Sequence, residues 1–128
     1  MRTILHLFVA IVVLAVSLLV FSMSTPAQPQ TQKDLYVVTY VDVFPNFAAE
    51  SGKLLQQFAS DSRKDPGCVR MDILRDVARQ NHFTIFEVWK TQKDFDAHLA
   101  LGHTRMFREK LQAGLGSPFD ERLHNLLQ

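Results

Sequence analysis

The sequence predicts an α+β domain: a four-stranded antiparallel sheet with both helices packed on one face. Three observations carry that expectation. Segments of strand and helix character follow one another in the order β-α-β-β-α-β over about 94 residues, from Leu35 to Gln128. Residues suited to turns stand at the joints between them. The middle two strands are close enough in sequence to form a hairpin. This order is that of the ferredoxin-like arrangement. It leaves one sheet face without helices, while the first strand is apolar on both sides. A homodimer through that open face is therefore expected.

Taken in order, Leu35 to Phe44 (LYVVTYVDVF) is β-branched and aromatic, which suits a strand with little polar surface. Pro45-Asn46 ends it, with Asn46 expected to cap the next helix. Phe47, Leu54, Leu55, Phe58 and Ala59 recur at helical spacing, and Asp65-Pro66-Gly67 stops the helix. Cys68 to Asp76 alternates Val69, Met71 and Ile73 with Arg70 and Asp72, the pattern of a half-buried strand. Ala78 to Asn81 turns the chain, and His82 to Lys90 returns as its hairpin partner. Thr91-x-x-Asp94 resembles a capping box and opens a second helical region carrying Phe95, His98 and Leu99. That region is expected to break or bend near Gly102, then resume with His103, Met106, Phe107 and Leu111. Gly114 and Gly116-Ser117-Pro118 end it, ahead of a last strand around Glu121 to Leu127.

The 128 residues are enough for one domain, and their composition excludes several function classes. A net charge of +1 argues against a nucleic-acid partner. The single cysteine, Cys68, excludes an intrachain disulfide framework and a cysteine-built metal cluster. Hydrophobic residues make up 47% of the chain but are concentrated at its start, where 16 of the 18 residues from Ile4 to Phe21 are apolar. Behind Met1-Arg2 this run has the layout of a secretory signal, yet as a helix it would extend roughly 27 Å, close to the thickness of a bilayer core. Residues 1–27 are read as a cleaved signal peptide or a retained membrane anchor, the tether being residues 4–21. Residues 28–34 are read as a linker and 35–128 as the domain. Either reading puts the domain outside the cytoplasmic membrane.

Two features of the domain point to chemistry. Glu87 and Trp89 sit two apart on a strand and so share a face. His98 and His103 sit five apart, about 140° around an unbroken helix, and share a pocket only if the helix breaks between them. Two histidines on one helix face usually stand three or four apart, so no metal site is expected.

In Asp65-Pro66-Gly67-Cys68, Phe86-Glu87-x-Trp89 and Ala97-His98-Leu99-x-x-x-His103 ahead of Phe107, the chain resembles the antibiotic biosynthesis monooxygenase family across the whole domain. The resemblance implies a small dimeric α+β-barrel protein. It implies oxidation of a quinol or phenol-type aromatic with dioxygen, needing no flavin, haem or metal. On this reading the catalytic candidates are His98 or His103 as base, Trp89 as an aromatic wall and Arg108 as the cation that stabilises the substrate anion. Glu87, Phe95 and Thr39 complete the expected pocket. The paired histidines look most like the quinol monooxygenase branch, which also includes a sugar-phosphate isomerase. In the anthrone-oxidising branch a strand Asn and a helix Tyr fall at Ile85 and Phe95, although Trp89 and Arg108 match. The positions used by the haem-degrading branch fall at Thr39, His98 and Phe107 and all differ, so haem degradation is disfavoured. The alternative is a dimeric ligand-binding or stress-response module that kept the fold without the chemistry. Residue by residue, Trp89 is more often a core aromatic than a catalytic wall, Glu87 is equally readable as a partner of Arg70 or a helix end, and Cys68 reads as a small buried residue.

Overall fold

The computed structural model describes residues 33–127. The expected leader and, apart from Lys33 and Asp34, the expected linker lie outside the described residues. Among the described residues no helix is long and apolar enough to cross a membrane.

The strands are β1 (Leu35–Asp42), β2 (Cys68–Arg75), β3 (His82–Trp89) and β4 (Asp120–Asn125). They form one antiparallel sheet in the order β2-β3-β1-β4. The helices are α1 (Ala48–Ser62), preceded by a single 3-10 turn at Pro45–Phe47, then α2 (Gln92–Leu99) and α3 (Gly102–Gln112). This is the predicted ferredoxin-like fold, with the second helical region divided in two. β1 is shorter than its apolar run suggests, because Val43 and Phe44 leave the ladder to pair with other backbone. Val43 N–H donates to Asn81 and Phe44 N–H to Gly114. Asn46 does not cap α1: it lies inside the 3-10 turn, and Phe47 takes the cap position with no side-chain bond.

Alternation divides the sheet into two faces. Leu35, Val37, Thr39 and Val41 of β1 and Phe83, Ile85, Glu87 and Trp89 of β3 point inward and are all buried. Against them α1 sets Leu55, Phe58 and Ala59, α2 sets Phe95, and α3 sets Phe107 and Leu111. On the outer face Tyr36 meets Phe86, Arg70 stands over Phe86, and Arg122 stands over Tyr40. That aromatic face is the one on which a second copy is expected.

The turn from α1 to β2 fixes the approach to the site. Pro66 cannot continue the helix, and Gly67 takes φ = 82°, where a side chain is strained. A Cβ at Gly67 would also run into the side chain of Asp94. Gly67→Ala is therefore expected to lower stability by at least about 1–2 kcal/mol, read as a fall in the urea midpoint. An unchanged midpoint would contradict the strain assigned to this turn.

Candidate functional site

The site lies between the inner sheet face and the broken second helical region. At the start of α2, Thr91 accepts a hydrogen bond from the Asp94 backbone N–H at 3.0 Å and its hydroxyl donates to the Asp94 carboxylate at 2.7 Å. The predicted cap is thus present. The helix then stops: Ala100 ends α2, Leu101 is extended, and α3 restarts at Gly102. The break swings His103 back toward His98, leaving their ring centroids 5.7 Å apart.

Both imidazoles converge on one carboxylate oxygen. His98 Nδ1 lies 2.7 Å and His103 Nε2 lies 3.0 Å from Asp65 Oδ2. Only the first contact has the alignment of a hydrogen bond; His103 Nε2 is buried without a bonded partner. His98 is fully enclosed. Trp89 packs on it at 4.6 Å between ring centroids, Phe58 lies at 5.6 Å and Phe95 at 6.3 Å. Burial holds the imidazole of His98 below its ordinary pKa and outweighs the opposing pull of Asp65.

Trp89 joins this cluster to a second one. Its ring faces His98 while its Nε1–H donates to Glu87 Oε2 at 2.8 Å. Glu87 is 2% exposed. Burial pushes its carboxyl up from 4.5 to about 7; the Trp89 hydrogen bond opposes the rise, the Glu121 charge adds to it and Arg108 opposes it. Arg108 on α3 donates to Glu121 on β4 and lies over the Phe119 ring at 4.8 Å. Thr39, opposite Ile85 and Glu121 in the ladders, is fully buried with no partner for its hydroxyl.

This arrangement makes stability depend on pH with a definite sign. Folded Glu87 keeps its proton where the unfolded chain releases it, so it lowers stability progressively from pH 4.5 to about 7 and not further above. The expected loss across that window is about 3 kcal/mol. Urea unfolding of the parent and of Glu87→Gln checks it, since glutamine still accepts the Trp89 hydrogen bond but does not titrate. The parent should lose more stability than the variant over the window; parallel curves would show that Glu87 titrates normally.

Of the predicted residues, the structure brings Trp89, His98, His103 and Phe95 into one cluster. It places Glu87 and Thr39 on the same inner face, with Glu87 bonded to Trp89 rather than to Arg70 or a helix end. Arg108 is engaged with Glu121, and its charge acts on both Glu87 and His98. A groove of about 130 Å³ between α1 and α3 is lined by His103, Phe58, Phe107 and Met106, but not by Trp89, His98 or Arg108. Sequence reasoning missed three polar members, of which Thr104 is fully buried with its hydroxyl 3.3 Å from His98 Nδ1. Asp65 was visible only as a helix-stopping residue, since nothing in a linear pattern joins it to a histidine 33 positions away. Glu121 was visible only as part of a strand.

Comparison with known proteins agrees with the fold. Residues 34–110 match the sequence model of a family described as antibiotic biosynthesis monooxygenase. The uncharacterized protein sll1783 of Synechocystis is 28% identical over 94 residues, covering 73% of this chain. The chain spans 64% of the length of that relative. Among solved structures, a candidate antibiotic biosynthesis monooxygenase from Nitrosomonas europaea superposes with a TM-score of 0.72 at 22% identity, over 75% of this chain and 92% of that one. A variant of SnoaB from Streptomyces nogalater, a cofactor-independent oxygenase, gives a TM-score of 0.67 at 22% identity, over 75% of this chain and 95% of its own. The structural likenesses carry the fold, and the match over residues 34–110 carries the family: the chain belongs to the antibiotic biosynthesis monooxygenase family.

Proposed function

We propose that the chain is a cofactor-independent monooxygenase acting on a small quinol or phenol, with Glu87 as the base. The observation that carries this reading is the buried Glu87 carboxyl, raised to about 7, bonded to Trp89 and within the field of Arg108. A base poised near neutrality can take a phenolic proton and later return it. In this mechanism Glu87 removes the proton and Arg108 stabilises the resulting anion, exchanging its bond to Glu121 for the substrate oxygen. The anion passes one electron to dioxygen, and the radical pair recombines into a carbon–oxygen bond. Glu87 returns its proton to the peroxide, and loss of the proton on the same ring carbon then supplies the electron pair that breaks the O–O bond. One oxygen atom stays on the ring as a carbonyl, the other leaves as water with both protons, and the substrate supplies all the electrons. For a hydroquinone the balance is quinol plus dioxygen to hydroxyquinone plus water. Trp89, packed on Phe95 and the ring of His98, gives the Glu87 carboxyl an apolar surround that would exclude water from an admitted substrate, to which the unpaired Thr39 hydroxyl would offer a hydrogen bond.

The test is oxygen uptake by the purified full chain against a panel of reduced quinols, with the product identified by mass. Uptake of one dioxygen per quinol, with one oxygen atom gained by the product, supports the reading. No quinol-dependent uptake by well-folded protein overturns it. Binding of the aromatics without turnover would instead assign the chain to the non-catalytic alternative.

A further inference from the structure

Asp65, His98 and His103 come from three separate segments: the turn after α1, the second half of α2 and the first turn of α3. Their donor atoms all lie within 4.8 Å of one another. Two imidazole nitrogens and one carboxylate oxygen form a ligand set that suits divalent first-row ions such as zinc, with a further position left for water. We propose that this trio binds one zinc-class divalent ion, which clamps the helix break to the α1–β2 turn.

The observation that carries the proposal is His103 Nε2. It is screened from water and sits 3.0 Å from a carboxylate oxygen, yet it is not aligned to bond with it. A buried polar atom without a partner is costly, and a cation between the two rings and the carboxylate would satisfy it. The present separations of 2.7 and 3.0 Å are those of a closed cluster. With bonds near 2.0–2.1 Å, tetrahedral ligands stand about 3.3 Å apart, so each imidazole nitrogen would part from the Asp65 oxygen by only about half an ångström. The His103 side chain is 26% exposed and lines the groove between α1 and α3, which gives an ion an approach. Burial already favours the neutral ring of His98, the form a metal requires, and coordination through Nδ1 would place the ring proton on Nε2, which faces the Thr104 hydroxyl at 3.5 Å. The sequence-based expectation of no metal assumed both histidines on one helix; the break at Ala100–Leu101 removes that assumption.

This proposal stands independently of the oxygenase reading, and its readout is binding rather than turnover. The full chain, held in detergent because of its apolar start, is stripped with a chelator. It is then titrated with zinc in competition with a chromophoric chelator, and with cobalt as an absorption probe of ligand geometry. One zinc per chain is expected, with tetrahedral cobalt bands. Affinity should fall more than about 100-fold in His103→Ala and in Asp65→Asn, beyond the 10–100-fold typical of losing an outer-shell partner. His82→Ala, at the separate His82–Asp42 pair, should bind as the parent does. Circular dichroism confirms that His103→Ala, altered at a partly exposed position, remains folded. The proposal is overturned if the parent binds no zinc at micromolar free metal. It is equally overturned if His103→Ala binds as tightly as the parent, in which case the trio is a proton-holding cluster only.

Discussion

Glu87→Gln is expected to slow quinol-dependent oxygen uptake by about 10²–10⁴-fold, the usual contribution of a positioned general base. Glutamine preserves the size of the side chain and the acceptor for Trp89 Nε1–H, so the pocket keeps its shape while losing the group that takes the proton. The loss should fall on kcat, because the base acts on the bound substrate, with KM changed far less. Arg108→Lys separates the two charges of the site. It keeps a cation near Glu87 but loses the planar fork that engages Glu121, and should weaken anion stabilisation without removing the base. Equal rates for Glu87→Gln and the parent would remove Glu87 from the chemistry and return the role of base to the histidines.

Trp89→Ala is expected to lower stability by about 3–5 kcal/mol, the range for truncating a fully buried aromatic. That is a large share of the 5–15 kcal/mol typical of a whole domain. Trp89 is wholly enclosed and joins the two halves of the site, meeting Phe95 and His98 through its ring and Glu87 through its N–H. Truncation would leave both a cavity and a buried carboxyl without its donor. Trp89→Phe keeps most of the packing and removes the donor, and should cost about 1–3 kcal/mol. The chain has one tryptophan, so urea unfolding of these variants is followed by circular dichroism rather than fluorescence. A cost below 1 kcal/mol for Trp89→Ala would show that the site collapses without penalty, contrary to the packing described.

The sequence made local chemistry legible. The Thr91–Asp94 cap, the shared face of Glu87 and Trp89, and the interruption before Gly102 each depend on residues a few positions apart, and each is present. What failed or was missed depends on chain meeting chain. Asn46 has a good capping side chain, but Pro45 starts a 3-10 turn around it, so α1 begins one residue later. The ladder loses Val43 and Phe44 because Asn81 and Gly114 offer other partners. Asp65 is placed beside two histidines by the stacking of α1 against α3, which no periodicity in the sequence encodes. The inward direction of Glu87 follows from alternation, but the proton it holds near neutrality follows from burial and from Glu121, which only the folded sheet supplies.

The most direct test of the central claim is the pH dependence of quinol oxidation by the parent and by Glu87→Gln, measured as oxygen uptake at subsaturating substrate. The account predicts that kcat/KM of the parent rises with pH through an apparent pKa of about 7 as Glu87 becomes the carboxylate base. The residual activity of the variant should lack that inflection. An inflection near 7 that persists in the variant, or a parent rate flat through that range, would contradict the assignment of Glu87 as the base.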